Sequence, residues 1–583
     1  MRKPLAHAKL KPLPTPRLAT TVPTWLVGLF LLAAAVLFGA GLDRYGLFDV
    51  DEAIFAQTSR EMLASGDYVT PHYNGEPRYH KPPLIYWLQA GAMANLESDV
   101  LAARLPSAVF ALFLALMFYT TVVGITRQSR YALLATAVLV LNLSFLSIAR
   151  AAIADMVLNF FMLAVTMMML GRIYTDEKNP IAPWITGFVL GFALLAKGPV
   201  AVVVPGMIVF VACVLRGGFW YNVGRLGLPQ VTIGAALVLL PWVQFIVDAK
   251  GMAFFREFIW VHNIGRFSEP MGSHSGQAHY YLVVLAAGFF PWIMFAPLAL
   301  KGLTADLKKR IWSDDARASL PFLGLVWGLM VVALFSFSAT KLPHYILPAL
   351  PGFALFIADW LDRIDTRPLR VAHLLWLAPC VALVACLFVV LPQVPALLNG
   401  AGPLFERVGP VLSGWGVALP IDDTLLLGIL GQEISFGTWP VAMGALLGLG
   451  LGLALLLLTA GRFTGVAVAA VTMWAFLMAA VHGLVPTVYA FMQEPLAAIG
   501  RDIATEHRTG DRVLMYRLHH PSVRFVSDKP FAPIDRPVQL APYRPYRLFV
   551  VTEIEHVREA EAALPPRQLT DCYGGYCLIR VNM

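Results

Sequence analysis

A chain of 583 residues that is 58% hydrophobic and only 14% charged is not a soluble globular protein, which would carry about a quarter charged residues. Uncharged apolar runs of roughly 18 residues or more recur along it, each long enough to cross a bilayer, so the fold class is an all-α polytopic membrane protein. Its net charge of +8 does not point to nucleic acid, because Lys and Arg collect in the loops such proteins keep in the cytoplasm.

The N-terminal stretch "MRKPLAHAKLKPLPTPR" is basic and Pro-rich, and the apolar run after it lacks a small-residue cleavage site. Residues 1–22 therefore read as a cytoplasmic tail before a retained first span. Thirteen transmembrane helices are expected, at about 23–42, 101–124, 131–149, 154–172, 181–196, 199–215, 228–247, 279–299, 319–337, 343–361, 371–391, 437–459 and 464–487. The pair flanking "AKGPV" reads as a tight hairpin. With the N-terminus inside, the basic loops "TRQSR", "RGGFWYNVGR", "KGLTADLKKRIWSDDAR" and "DRIDTRPLR" also fall inside, as the orientation rule requires.

Outside lie segments 43–98 and 248–278, with "AIAD", "AKGP" and "SATKLPHY". The two long segments are too polar to span and too aromatic for plain loops. "IFAQTSREMLAS" and "PPLIYWLQAGAMANL" read as helices lying in the membrane interface, with aromatics at headgroup depth. Residues 23–489 form the membrane domain. Residues 490–583 change character: "DRVLMYRL", "YRLFVVTE" and "YCLIRV" read as strands and "EHVREAEAAL" as an amphipathic helix, giving a small extracytoplasmic α/β domain. Cys213, Cys380 and Cys386 lie in apolar spans and read as packing residues. Cys572 and Cys577, in "DCYGGYC", are close enough in a tight turn to form a disulfide in an oxidising space.

The ionisable residues that are unusual for a membrane chain nearly all fall on the outer face: Asp49, Asp51, Glu52, Lys81, Asp155, Lys197, Glu257, His262, Arg266, Lys341 and His344, with Tyr345 beside them. Such groups at span edges mark a functional cavity. Asp51, Glu52 and Asp155 are the candidate catalytic carboxylates, as a general base or a metal-binding carboxylate; a solvated loop, and a helix N-cap at Asp155, are the bland alternatives. Lys81, Lys197, Arg266, Lys341 and Tyr345, with His262 and Tyr86, are the candidate substrate-binding residues. Each cation alone could be snorkelling, but cations from four loops on one face suit a lipid-linked phosphate. No H-E-x-x-H spacing exists, so His80, His262, His274, His279 and His344 read as hydrogen-bonded interfacial histidines. A divalent metal held among them with Glu52 or Asp155 is the alternative.

The stretch "DEAIFAQTSREMLASGDYVTPHYNGEPRYHKPPLIYW" resembles the first extracytoplasmic loop of bacterial polyprenyl-phosphate-sugar-dependent glycosyltransferases. These include the lipid A aminoarabinose transferases and, more distantly, the protein O-mannosyltransferases. "LLAKGPV", "RF" at 266–267 and "KLPHYILP" match further stations in the same order. The resemblance covers nearly the whole chain and implies the GT-C type of membrane glycosyltransferase, active on the periplasmic face of the inner membrane. It would take a sugar from undecaprenyl phosphate, with inversion, and pass it to lipid A or a related envelope acceptor. By position, Asp51 becomes the acid/base carboxylate, Asp155 the second acid, and Lys81, Lys197, Arg266, Lys341 and Tyr345 the donor-phosphate set. The chain departs from the family pattern at Ile54 and Phe55, where relatives carry Arg and Tyr, and at His80, where relatives carry an acid. Two rival readings remain, a protein O-glycosyltransferase and a lipid-linked-sugar transporter. The transporter would be expected to show inverted repeats, and none is visible.

Overall fold

The structure, a computed structural model, describes residues 21–175, 178–265, 277, 279–305, 307, 311, 315–390, 437–566 and 568–582. Arg266, His274 and nearly all of the N-terminal tail lie outside the described residues.

Among the described residues, eight helices are long and apolar enough to cross a membrane, or ten if each of two bent pairs counts as one span; three further apolar helices there are 16 residues long. The first nine helices are α1 (Thr24–Gly39), α2 (Asp51–Ser65), α3 (Leu84–Met93), α4 (Asp99–Thr126), α5 (Ser129–Val140), α6 (Leu143–Ala149), α7 (Asp155–Tyr174), α8 (Ala182–Lys197) and α9 (Val200–Leu215). The span expected at 131–149 is bent by 72° between α5 and α6. Buried Asn142 causes the break: its Oδ1 accepts the Phe145 N–H at 2.9 Å while its Nδ2 donates to the Val138 and Leu139 carbonyls. The side chain thus competes with the backbone ladder at that turn. The span expected at 279–299 is likewise bent, by 104°, next to Pro291, which has no N–H to continue a helix.

Small residues set the helix spacing. A Cβ on Gly187 of α8 would lie 2.5 Å from the Val231 carbonyl oxygen of the Leu228–Lys250 helix, so only glycine permits that approach. The "AKGPV" hairpin forms as expected: α8 ends at Lys197, Gly198 takes φ +85°, and α9 starts at Val200. A side chain at Gly198 would also strike the Phe258 ring at 2.5 Å.

The C-terminal region holds a five-stranded sheet. Its strands are β3 (Arg512–Tyr516), β4 (Phe531–Ile534), β5 (Leu548–Glu553), β6 (Gln568–Tyr573) and β7 (Tyr576–Val581), in the order β4-β3-β5-β7-β6. A two-stranded hairpin, β1 (His72–Tyr73) and β2 (Glu76–Pro77), precedes them in the first outer loop. In the large sheet β4, β3 and β5 run parallel, and β7 and β6 antiparallel. Both faces are covered, which explains the nearly continuous apolar runs. Val513, Met515, Phe549 and Val551 pack under Leu496, Ile499 and Ile503 of the Glu494–Glu506 helix; Leu514, Tyr516, Leu548 and Val550 pack with Ala560 and Leu564 on the other face. Cys572 and Cys577 face each other across β6 and β7 and form a disulfide. Cys213 is buried as expected, whereas Cys386 is exposed on the outside of its helix.

Helix α2 is packed within protein: Glu52 through Ser59 are all buried. It is wedged between α3 and α4 on one side and the short Pro521–Ser527 helix of the C-terminal region on the other. Alanines at 53 and 56 let this packing close, with Phe525 filling the gap.

Candidate functional site

Three carboxylates open α2, at the positive end of its dipole, and the fold sends each in a different direction. Asp49 is almost wholly buried. Its Oδ1 accepts the Ser522 N–H at 2.8 Å, and its Oδ2 meets the Ser522 hydroxyl and, at 3.2 Å, His520 Nδ1. Asp49 thereby caps the Pro521–Ser527 helix, whose own preceding residue supplies no side-chain cap. Glu52 points into the bundle. Arg104 of α4 donates to both its oxygens, at 3.0 and 2.7 Å, and the Phe48 and Ala152 N–H groups add bonds of 2.9 and 2.7 Å. Arg104 also donates to the Leu42, Tyr45 and Gly46 carbonyls. The Glu52 carboxylate is thus fully engaged in holding the loop, and the expectation that it is a reactive acid does not fit this geometry. Asp51, between them, is exposed and has no ion-pair partner among the described residues.

Asp155 starts α7 and is buried. Lys197 Nζ, from the end of α8, donates to its Oδ1 at 2.5 Å, and His344 Nε2 stands 3.7 Å from the same oxygen. Tyr345 lies under Lys197, with Nζ 5.1 Å from its ring centre. The charges of Lys81 and Asp51 lie near enough to act on His344. Helix ends and loops far apart in sequence therefore converge: Asp51, Lys81, Asp155, Lys197, His344 and Tyr345. Lys341 is buried, and its Nζ donates to the Ser338 carbonyl at 2.6 Å. Tyr86 is buried and stacks on Phe55 with centroids 5.5 Å apart; burial raises its phenol above the ordinary value, with nearby Arg78 pulling the other way.

Arg78 is the residue that sequence reasoning missed. Its Nη1 donates to Tyr86 Oη at 2.8 Å and its guanidinium lies 5.4 Å from the Phe55 ring centre. The available signal was its place in the same aromatic stretch, three residues before Lys81.

His262 is buried against His80, their ring centres 3.8 Å apart, and its Nε2 is 3.4 Å from Glu257 Oε1. One ligand atom from each of His80, Glu257 and His262 lies within 4.8 Å of the others. Two imidazoles and a carboxylate are a donor set for zinc or a similar divalent ion. The expected metal partners Glu52 and Asp155 are not part of this group, since Arg104 and Lys197 already occupy them.

The family model of the dolichyl-phosphate-mannose-protein mannosyltransferases matches residues 43–252. Similar curated proteins are undecaprenyl phosphate-alpha-4-amino-4-deoxy-L-arabinose arabinosyl transferases. That of Edwardsiella ictaluri (strain 93-146) is 27% identical over 69% of this chain and 71% of its own length. One from Pseudomonas fluorescens (strain Pf0-1) is 31% identical over 66% of each chain, and that of Erwinia tasmaniensis is 29% identical over 57% and 58%. The chain thus spans between 58% and 71% of the length of these relatives. Among solved structures, ArnT from Cupriavidus metallidurans bound to undecaprenyl phosphate superposes with a TM-score of 0.75 at 20% identity, over 96% of this chain and 98% of that one. An archaeal oligosaccharyltransferase, AglB from Archaeoglobus fulgidus, does so with a TM-score of 0.50 at 10% identity, over 91% and 70%. These two likenesses establish a shared fold.

Proposed function

We propose that this chain, which belongs to the polyprenyl-phosphate-sugar-dependent membrane glycosyltransferases, moves a pentose-type sugar from undecaprenyl phosphate to lipid A at the periplasmic face of the inner membrane. The observation that carries the reading is Asp51: an exposed carboxylate without an ion-pair partner among the described residues, beside a cluster in which Asp155, Lys197 and His344 are already joined. The names of the similar curated proteins supply the sugar and the carrier.

The chemistry follows from charge. As the glycosidic bond breaks, its electron pair leaves with the polyprenyl monophosphate, which gains negative charge. Fixed cations stabilise that charge more in the transition state than in the ground state. Lys81 and Lys197 are the cations placed for this, with Tyr345 under Lys197. Asp155 holds the Lys197 ammonium in place. Asp51 takes the proton of a hydroxyl acceptor, or orients an acceptor phosphate that is already ionised. His80, Glu257 and His262 would hold a divalent ion, which would tie the Arg256–Gly265 segment to the loop before Lys81.

The match to the mannosyltransferase family over 43–252 supports a second acceptor, a protein hydroxyl. One experiment separates the two: mass spectrometry of lipid A and of envelope proteins from cells with the wild-type gene, without it, and with Asp51→Asn. Aminoarabinose-type mass additions on lipid A that vanish in the last two strains are expected. Wild-type additions found only on protein would replace lipid A as acceptor, and full activity of Asp51→Asn would remove Asp51 from the reaction.

A further inference from the structure

Most of the buried or half-buried arginines outside the site have a carboxylate within reach. Arg60 has Asp99, Arg104 has Glu52, Arg130 has Asp362, Arg317 has Asp359, Arg524 has Glu61 and Arg580 has Glu506. Arg78 is different. It is half-buried, its side chain's only hydrogen-bond partner among the described residues is the Tyr86 hydroxyl, and no carboxylate lies within ion-pair distance of it there. Two aromatic rings hold it from behind: Phe55 beneath the guanidinium and Tyr86 stacked on Phe55. A guanidinium held this way, with donors to spare, matches the planar geometry of a phosphate oxygen pair.

Its surroundings decide which phosphate. The cluster of Lys81, Asp155, Lys197, His344 and Tyr345 gathers where α7 begins and α8 ends. Arg78 is tied instead to the side facing the C-terminal region. Its backbone N–H bonds the Pro71 carbonyl, and its charge acts on Tyr73 and on His519, whose ring packs against Tyr73 at 6.5 Å and Phe531 at 6.3 Å. His519 belongs to the C-terminal region, directly before the His520–Asp49 contact.

We infer that Arg78, with His519 across the junction, forms a binding site for a phosphate group of the acceptor, separate from the cations that hold the donor phosphate. This rests on the proposed function for the identity of the acceptor. In this arrangement the acceptor's anion is held toward the C-terminal region and the departing phosphate gathers charge at the helix ends of α7 and α8, which keeps the two anions apart. It also gives the C-terminal region a direct part in acceptor choice.

The test is equilibrium binding to the full chain in detergent, with phosphorylated lipid A and undecaprenyl phosphate as separate probes, for wild type, Arg78→Ala and Arg78→Gln. Gln retains a donor for Tyr86 without the charge, so it guards against loss of folding, and the thermal unfolding midpoint should stay near that of wild type. Lipid A binding about tenfold weaker in both variants is expected, with undecaprenyl phosphate binding within twofold of wild type and His519→Ala intermediate. Unchanged lipid A binding would overturn the inference, as would a loss confined to undecaprenyl phosphate, which would put Arg78 with the donor. The proposed function fails by a different result, absence of transfer by the wild-type enzyme, and the binding comparison stands without turnover.

Discussion

The Asp49 carboxylate accepts the Ser522 backbone N–H at 2.8 Å, joining residues 473 apart in sequence. Further bonds run across the same junction. Arg524 pairs with Glu61 at 3.1 Å, Arg60 donates to the Phe525 carbonyl at 2.7 Å, and the Asn74 side chain exchanges two hydrogen bonds with the Phe531 backbone at the edge of the sheet. Helix α2 is therefore clasped from outside by the C-terminal region and pinned from inside by Arg104 on Glu52. Asp51 stands between the two anchors.

Asp49→Ala should free the outer anchor. Removing a helix cap costs about 1–2 kcal/mol, so amide exchange should rise in α2 and in the Pro521–Ser527 helix while β5 and β7 keep their protection. Sugar transfer should fall through the turnover rate, with donor binding retained. Unchanged exchange in α2 would show that the junction does not restrain it.

Lys197→Met leaves Asp155 buried without its closest cation. Breaking a buried pair from one side costs about 3–5 kcal/mol, and His344, 3.7 Å away, should keep the loss at the lower end. The double variant Lys197→Met/Asp155→Asn should recover much of that stability in chemical unfolding of the detergent-solubilised protein. Losses that simply add would mean the two groups do not interact.

His262→Ala should strip the chain of metal. Elemental analysis of the purified wild-type protein, after exposure to zinc and dialysis, should give about one equivalent, as a three-ligand site retains, and the variant close to none. A wild-type protein that retains no more metal than the variant would leave His80, Glu257 and His262 as a hydrogen-bonded group only.

Arg317→Met tests the opposite end of the bundle. Arg317 bridges Asp359 at 2.5 Å and Asp362 at 2.7 Å, and both acids are buried. Deleting the cation should cost about 3–5 kcal/mol without changing donor binding, because the substitution lies at the far end of the membrane domain. A loss below about 1 kcal/mol, as for an exposed pair, would show that water reaches these acids.

The membrane fold was readable because hydropathy is a local property: the expected spans lie over apolar helices, of which eight, or ten with the bent pairs, are long enough to cross a membrane among the described residues. The strands of the C-terminal region were readable for the same reason, as short apolar, β-branched and aromatic runs. The expectation that Asp51, Lys81, Asp155, Lys197, Arg266, Lys341 and Tyr345 share one face drew on the same local cues, since ionisable residues at span ends have few other reasons to be there.

What the sequence alone determined is which runs are apolar enough to cross a bilayer and where charge interrupts them, because burial in lipid constrains every residue by its own chemistry. What only the tertiary structure decided is the division of labour among identical groups. Asp49, Asp51 and Glu52 are nearly adjacent and chemically alike, yet one caps a helix near residue 522, one is neutralised by Arg104, and one stays open. Apart from the Phe48 N–H on Glu52, their partners lie 52 to 473 residues away, and a carboxylate's role is set by whichever donors the packed fold brings within about 3 Å of it.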